Sequence, residues 1–189
     1  MSDKIENKII VGLERVSEAF KSLLWEKAKL HGLSPIQIQI LLFIQTHRRE
    51  LCSVSHLAQE FEVTKPTVSD AVRVLDKKGL VEKDYSGPDS RSYLLYPSTR
   101  GEKLFEDLND FVSPMERAIK KLNGKKQTEL YKTLADLIFQ LNAQGVLEVQ
   151  RICFGCKFYE KRKGRHYCHF LKENLKDEEI RIDCNEFEK

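Results

Sequence analysis

Two short amphipathic segments with almost nothing between them constrain this chain more than any other feature. Ser53-Val54-Ser55-His56-Leu57-Ala58-Gln59-Glu60-Phe61 is followed by only Glu62-Val63 before Thr64 opens a second segment that runs to Leu80. A link that short forces the pair into a helix-turn-helix. Ser53 and Thr64 stand where an N-cap is needed, because each hydroxyl can accept a free backbone N–H of the first turn. Pro66 falls in that first turn, where its missing N–H is no loss. Val68, Ala71, Val72 and Leu75 repeat at i, i+3, i+4 and i+7 and define an inner face. The opposite face carries Pro66, Ser69, Asp70, Arg73 and Lys77, with Lys65 and Thr67 at its N-terminal end. A small, polar, partly basic face suits entry into a major groove, although Arg73 and Lys77 also fit an ordinary solvated face. Gly79 is placed as the C′ residue that ends the helix.

Leu80–Tyr85 and Ser92–Tyr96 alternate in polarity around Ser86-Gly87-Pro88-Asp89-Ser90-Arg91, which predicts a β-hairpin. A hairpin directly after a recognition helix is a wing. Arg91 near its tip can reach a minor groove, where A·T stretches concentrate negative potential; a pairing of Asp89 with Arg91 across the turn is the plainer alternative.

This order resembles the MarR family of winged-helix regulators. The resemblance is carried by Thr64-Lys65-Pro66-Thr67-Val68-Ser69, by Lys77-Lys78-Gly79-Leu80-Val81, by Asp89-Ser90-Arg91, and by Ser98-Thr99-Arg100-Gly101 where the wing leads into a long helix. It covers roughly residues 10–145. It implies a homodimeric, sequence-specific regulator of transcription, usually a repressor, that binds double-stranded DNA and is released by a small-molecule effector or an oxidant.

The flanking segments are predicted helical. Ile5, Ile9, Leu13, Val16, Phe20 and Leu23/Leu24 form a stripe along residues 3–31. Ser34-Pro35 starts the next helix, although Ile36-Gln37-Ile38-Gln39-Ile40 alternates like a strand. Leu51-Cys52 reads as a very short strand, with Cys52 a packed apolar thiol. From Ser98 to about Leu122, Leu104, Phe105, Leu108, Phe111, Val112, Met115 and Ile119 point inward, with a kink or break at Ser113-Pro114 and a stop at Asn123-Gly124. A last helix from about Lys126 carries Leu130, Leu134, Leu137, Ile138 and Leu141. The expected fold is therefore mainly α with a small β-wing. Its parts are an N-terminal dimerisation helix (1–33), a winged helix-turn-helix domain (34–97), C-terminal dimerisation helices (98–150) and a small cysteine-rich knob (151–189).

That last segment has its own chemistry. Cys153, Cys156, Cys168 and Cys184 are spaced C-x2-C-x11-C-x15-C. The first pair can grip one ion from a turn, and the two loops bring the other thiolates round it, which suits a closed tetrahedral zinc site. An iron–sulfur cluster also accepts four cysteines, and would make the segment a redox sensor. A redox dithiol of Cys153 and Cys156, as in a thiol oxidoreductase, leaves two cysteines unexplained and lacks a βαβ frame, so a non-enzymatic role is expected. His166 and His169 are reserve ligands, or surface residues. Phe154, Phe158, Tyr159, Tyr167, Phe170 and Phe187 can form a shell, and Lys161-Arg162-Lys163-Gly164-Arg165 a basic, solvated loop. A segment of this size builds little core, so a metal would supply its folding energy.

Net charge is only +3 with 32% charged residues, so any affinity for nucleic acid has to come from where Lys and Arg stand. The chain has no apolar run of about 18 residues and no signal-peptide core at Met1–Asn7, so a cytoplasmic protein without structural disulfides is expected.

Overall fold

The computed structural model describes residues 4–87, 92–162 and 164–189. The chain divides into two compact units, Met1–Ala58 with Val63–Ala118, and Gln59–Glu62 with Ile119–Lys189.

The first unit is built around helix α2 (Pro35–Thr46), whose Ile38, Ile40, Leu41, Phe43 and Ile44 are all buried. The alternating isoleucines are thus helical. Gln37 Oε1 accepts the Ser34 backbone N–H at 2.9 Å, and Pro35 occupies the first turn, which outweighs the strand-like pattern. Before it runs α1 (Ile5–Leu30). Its C-terminal part is fixed: Leu24 and Ala28 are buried, and Lys27 Nζ reaches Asp110 at 2.8 Å. Its N-terminal part is not covered; Ile5, Ile9, Ile10, Val16 and Phe20 all stand exposed.

Helices α3 (Val54–Glu60) and α4 (Lys65–Lys77) form the helix-turn-helix. Ser53 Oγ accepts from the His56 N–H at 3.2 Å, and Thr64 Oγ1 from the Thr67 N–H at 3.3 Å, as the capping pattern predicted. Val68, Ala71, Val72 and Leu75 are buried, and with Leu57 they form the core of the motif. Strands β1 (Val81–Asp84) and β2 (Leu94–Pro97) pair antiparallel, with Val81 opposite Pro97 and Asp84 opposite Leu94. Leu51-Cys52 is not a strand. Arg49–Leu51 is a 3₁₀ turn, and the Cys52 carbonyl, which accepts from the Leu95 N–H at 2.9 Å, and an isolated Ser53–Leu94 bridge meet the wing sheet beside it.

The segment predicted as one helix from Ser98 to Leu122 is α5 (Thr99–Leu108), a 3₁₀ turn (Asn109–Val112) and α6 (Ser113–Lys120). The break precedes Pro114, as its missing N–H requires. Of the predicted inward residues Leu108 is fully buried, Leu104 and Phe105 are half-buried, and Ile119 is exposed. Asn123-Gly124 does not stop a helix but starts one: Asn123 Oδ1 accepts from the Lys126 N–H at 2.9 Å and caps α7 (Gly124–Ala143).

In the second unit, α7 is followed by a three-stranded antiparallel sheet of β3 (Tyr159–Arg162), β4 (Arg165–Cys168) and β5 (Glu173–Leu175), in that order. The basic stretch expected as a loop is therefore mostly strand, turning at Gly164 with φ of 78°; Lys163 lies outside the described residues. Among the described residues no helix is long and apolar enough to cross a membrane.

The end of α4 depends on a close approach. Gly79 takes a φ of 66°, Ser98 Oγ donates to the Gly79 carbonyl at 2.7 Å and accepts from the Gly101 N–H at 3.1 Å. A Cβ on Gly101 would sit 2.1 Å from the Leu80 carbonyl oxygen. Gly101→Ala should therefore destabilise the fold by about 1–3 kcal/mol, read as a lowered denaturation midpoint; an unchanged midpoint would show that α5 does not need this contact.

Candidate functional site

Helix α4 presents two faces of opposite character. The apolar one is sealed in the core. The other holds Lys65, Pro66, Thr67, Asp70, Arg73 and Lys77, all exposed, with Ser69 half-buried. These residues thus stand outside the core of the motif. Sequence reading missed that Arg73 pairs with Asp70 on that face, although the i, i+3 spacing signals it. A side chain so exposed is held loosely by such a pair, so Arg73 stays available to an outside acceptor.

The wing beside it is stiffened by rings. Tyr85 and Tyr93 lie 5.3 Å apart between centroids, and Lys83 stands over the Tyr93 ring while also reaching Asp76 at 2.5 Å. Arg49 covers Tyr96 at 4.9 Å. Arg91 and Asp89, expected near the tip, lie outside the described residues.

In the second unit the four tail cysteines come together. Cys153 opens a 3₁₀ turn (Cys153–Gly155), Cys156 follows it, Cys168 ends β4, and Cys184 lies in the terminal segment. All four line one cavity of about 380 Å³, walled also by Tyr131, Phe158, Phe170, Leu171 and Ile180. Among the described residues no three His, Cys, Asp or Glu side chains are gathered tightly enough to hold a single metal ion; the thiols stand on the walls of the cavity. Burial pushes the Cys153 thiol up, and the Arg181 N–H, 3.2 Å from its sulfur, works against that by favouring the thiolate. Arg181 Nη1 also reaches Cys184 Sγ at 3.8 Å. The two reserve histidines are engaged elsewhere. His166 lies between Tyr159 Oη at 2.6 Å and Asp177 at 3.2 Å, and His169 contacts Glu160 at 2.8 Å. Of the proposed aromatic shell, Phe158, Tyr159 and Phe170 line the cavity, whereas Phe154 packs edge-on against Phe139.

Nothing in the local pattern announces the buried cation of this unit. Arg151 is only 7% exposed. Its Nη1 and Nη2 donate to the two carboxylate oxygens of Glu60 at 2.8 and 3.0 Å, and its Nε donates to Asp183 at 2.6 Å. Burial would lower the Arg151 pKa; the two carboxylates more than offset it and hold the guanidinium above its ordinary value. Glu60 ends α3, and two residues later Glu62 turns the chain with a φ of 52°, a left-handed conformation that costs a side-chain-bearing residue about 1–2 kcal/mol.

The fifth cysteine is apart. Cys52 is fully buried and donates weakly to the Arg48 carbonyl at 3.4 Å. Burial, helped by Glu50, pushes its thiol up to about 11.

Comparison with known proteins bears on the first of these regions. The MarR family model matches residues 31–92, from the end of α1 to the wing. The HTH-type transcriptional regulator BilQ of Clostridioides difficile (strain CD3) is 30% identical over 95 residues, which cover 50% of this chain and 63% of BilQ. The match thus spans under two thirds of that relative's length. Among solved structures, S. aureus MepR in a DNA-binding conformation superposes with a TM-score of 0.61 at 21% identity, covering 70% of this chain and 98% of that one. The S. aureus MepR–DNA complex gives 0.58 at 22%, covering 68% and 94%. A MarR transcriptional regulator from Methanosarcina mazei Go1 gives 0.59 at 19%, covering 71% and 97%. The fold is that of these winged-helix proteins: mainly helical, with a small antiparallel hairpin.

Since only the thiolate reacts with an alkylating agent, Cys52 should be the last of the five cysteines modified by iodoacetamide in native, chelator-treated protein at about pH 8. Peptide mass mapping reads the order, and early modification of Cys52 would contradict its enclosed position.

Proposed function

We propose that this chain is a MarR-family transcriptional regulator, a repressor that binds double-stranded DNA as a homodimer in the cytoplasm and carries a thiolate-ligated metal centre at its C-terminal end. The observation that carries the reading is the exposed face of α4: polar, partly basic, backed by a sealed core and followed directly by a stiff wing. Lys65, Pro66, Thr67, Ser69, Asp70, Arg73 and Lys77 lie on the major-groove side in this reading, and Arg91 enters the minor groove. The match of residues 31–92 to the family and the relationship to BilQ support it.

Electrostatics gives the face its division of labour. Arg73 can donate two parallel hydrogen bonds to a guanine edge, which specifies sequence, whereas Lys77 and Lys65 suit phosphate contacts, which set affinity and salt dependence. Asp70 keeps Arg73 oriented along the helix until DNA offers a better acceptor, and is itself able to accept from a cytosine amino group.

The dimer reading rests on α1. A helix start with Ile5 at 65% and Ile10 at 63% exposure leaves an apolar surface that water disfavours, and a second copy of the same helix covers it symmetrically. Four cysteine thiolates are the donor set of either a zinc ion or an iron–sulfur cluster, and the two differ in how closely the sulfurs must approach one another.

Three measurements test this reading. Arg73→Ala should weaken binding to the operator by about 1–3 kcal/mol with the fold intact; unchanged affinity in a gel-shift titration would take α4 out of the groove. Arg91→Ala should lose most on operators with A·T-rich flanks, and an equal loss on G·C-rich flanks would reduce Arg91 to a backbone contact. Sedimentation should give a dimer of about 44 kDa, twice the 22.0 kDa chain. Ile9→Glu should shift it towards monomer, and a folded wild-type monomer at micromolar concentration would sink the assembly.

A further inference from the structure

The four cysteines line one cavity of about 380 Å³. A zinc ion bound at about 2.3 Å by four sulfurs packs them against one another and leaves no room between them. Here the sulfurs stand on the walls of a cavity of about 380 Å³, and among the described residues no three ligating side chains close on a single position. A cluster of several irons and sulfides fills such a space, because each iron takes its own thiolate from a different corner. Two of the thiols have donors beside them. The backbone N–H of Arg181 donates to Cys153 Sγ, its guanidinium reaches Cys184 Sγ, and Tyr131, Phe158, Phe170 and Ile180 supply apolar wall. Glu173, Glu178, Glu179 and Glu186 also line the cavity, and their negative charge opposes adding an electron to whatever is bound there.

The same structure ties this cavity to the turn of the helix-turn-helix. Arg151 is one residue removed from Cys153, its carbonyl accepts the Cys184 N–H at 3.1 Å, and its backbone bridges Asp183. Its side chain spans Asp183 on one side and Glu60 on the other. The terminal segment that supplies Cys184 therefore also supplies the carboxylate that orients Arg151. Arg151 in turn grips the last residue of α3, two residues before the left-handed turn at Glu62.

Building on the reading of these thiols as a metal centre, we propose that Cys153, Cys156, Cys168 and Cys184 bind an iron–sulfur cluster whose presence fixes the α3–α4 turn through Asp183, Arg151 and Glu60. With the cluster bound, the Cys184 segment is anchored, Asp183 holds Arg151, and the turn that sets the start of α4 is rigid. Without it that segment loosens, Arg151 loses its orienting partner, and the turn must be ordered at the expense of DNA affinity.

The full-length protein, purified without oxygen, tests both halves. About four iron and four acid-labile sulfide per chain, with broad visible absorption lost in each of the four Cys→Ser variants and kept in Cys52→Ser, is the expected result. Stoichiometric zinc without sulfide, or no metal at all, overturns the cluster. Removing the cluster with a chelator should weaken operator binding by roughly 5–150-fold, and Glu60→Gln, which keeps the shape but not the charge, should shrink that difference while leaving the absorption spectrum intact. Arg151→Lys, which keeps the charge but not the two-pronged contact, should do the same if Glu60→Gln does not fold. Equal affinity of loaded and chelated wild-type protein overturns the coupling. A chain with the expected spectrum that binds no genomic fragment in either form defeats the DNA-binding reading instead, and the spectrum still decides the cluster.

Discussion

The contact on which the winged unit turns is the closure of the α4 C-terminus by the Ser98–Gly101 step. A helix end leaves its last carbonyls without partners, and burying them unsatisfied is costly. Here the neighbouring segment supplies the donors: Ser98 Oγ to Gly79, the Ser98 N–H to Leu80 at 3.2 Å, and Arg100 Nη1 to Lys78 at 3.0 Å. Gly101 lets the two backbones approach, because any Cβ there would strike the Leu80 carbonyl. One short step thereby fixes the direction in which the chain leaves α4, the root of the wing and the start of α5. The exposed face of α4 is rigid because its far end is clasped.

This clasp also explains what could be read from sequence. The caps Ser53 and Thr64, the C′ residue Gly79, and the inner face of Val68, Ala71, Val72 and Leu75 are all local signals, and each appears where its spacing places it. Errors arose where a local signal served two meanings. Asn123-Gly124 reads equally as a stop or as a cap, and only the Lys126 N–H seated on Asn123 decides between them. Leu51-Cys52 looks like a strand by its apolar pair, yet what the fold takes from it is one carbonyl. The strands of the tail were illegible because Lys161–Arg165 and His166–His169 lack the alternation of a half-buried sheet.

The Arg151 network was out of reach for another reason. Its partners lie 91 and 32 residues away, and neither Glu60 nor Asp183 stands out among 29 acidic residues. A buried guanidinium survives only when its charge and its donors are met, and removing one partner of such a set costs about 3–5 kcal/mol. It is therefore a geometric constraint more than a source of net stability: it specifies where the end of α3 stands relative to the segment containing Asp183.

That constraint matters because the tail buries few side chains of its own. Among the described residues of 151–189, only Arg151, Ile152, Cys153 and Ile180 are buried. So small a core cannot offset the entropy of ordering a segment of that length. Further contributions include the three-stranded sheet, the hydrogen bond from Tyr131 to the Ile180 carbonyl, the ion pair of Lys132 with Asp177 at 2.9 Å and the edge-on packing of Phe154 on Phe139, and thiolate ligation would add to them. If thiolate ligation supplies most of the ordering free energy, then metal binding, folding of the terminal segment and orientation of Arg151 are one equilibrium. In that case the proposed coupling would need no separate switch between the thiols and the exposed face of α4. A filled centre would then hold the strained turn at Glu62, and without it the turn would have to be ordered on binding.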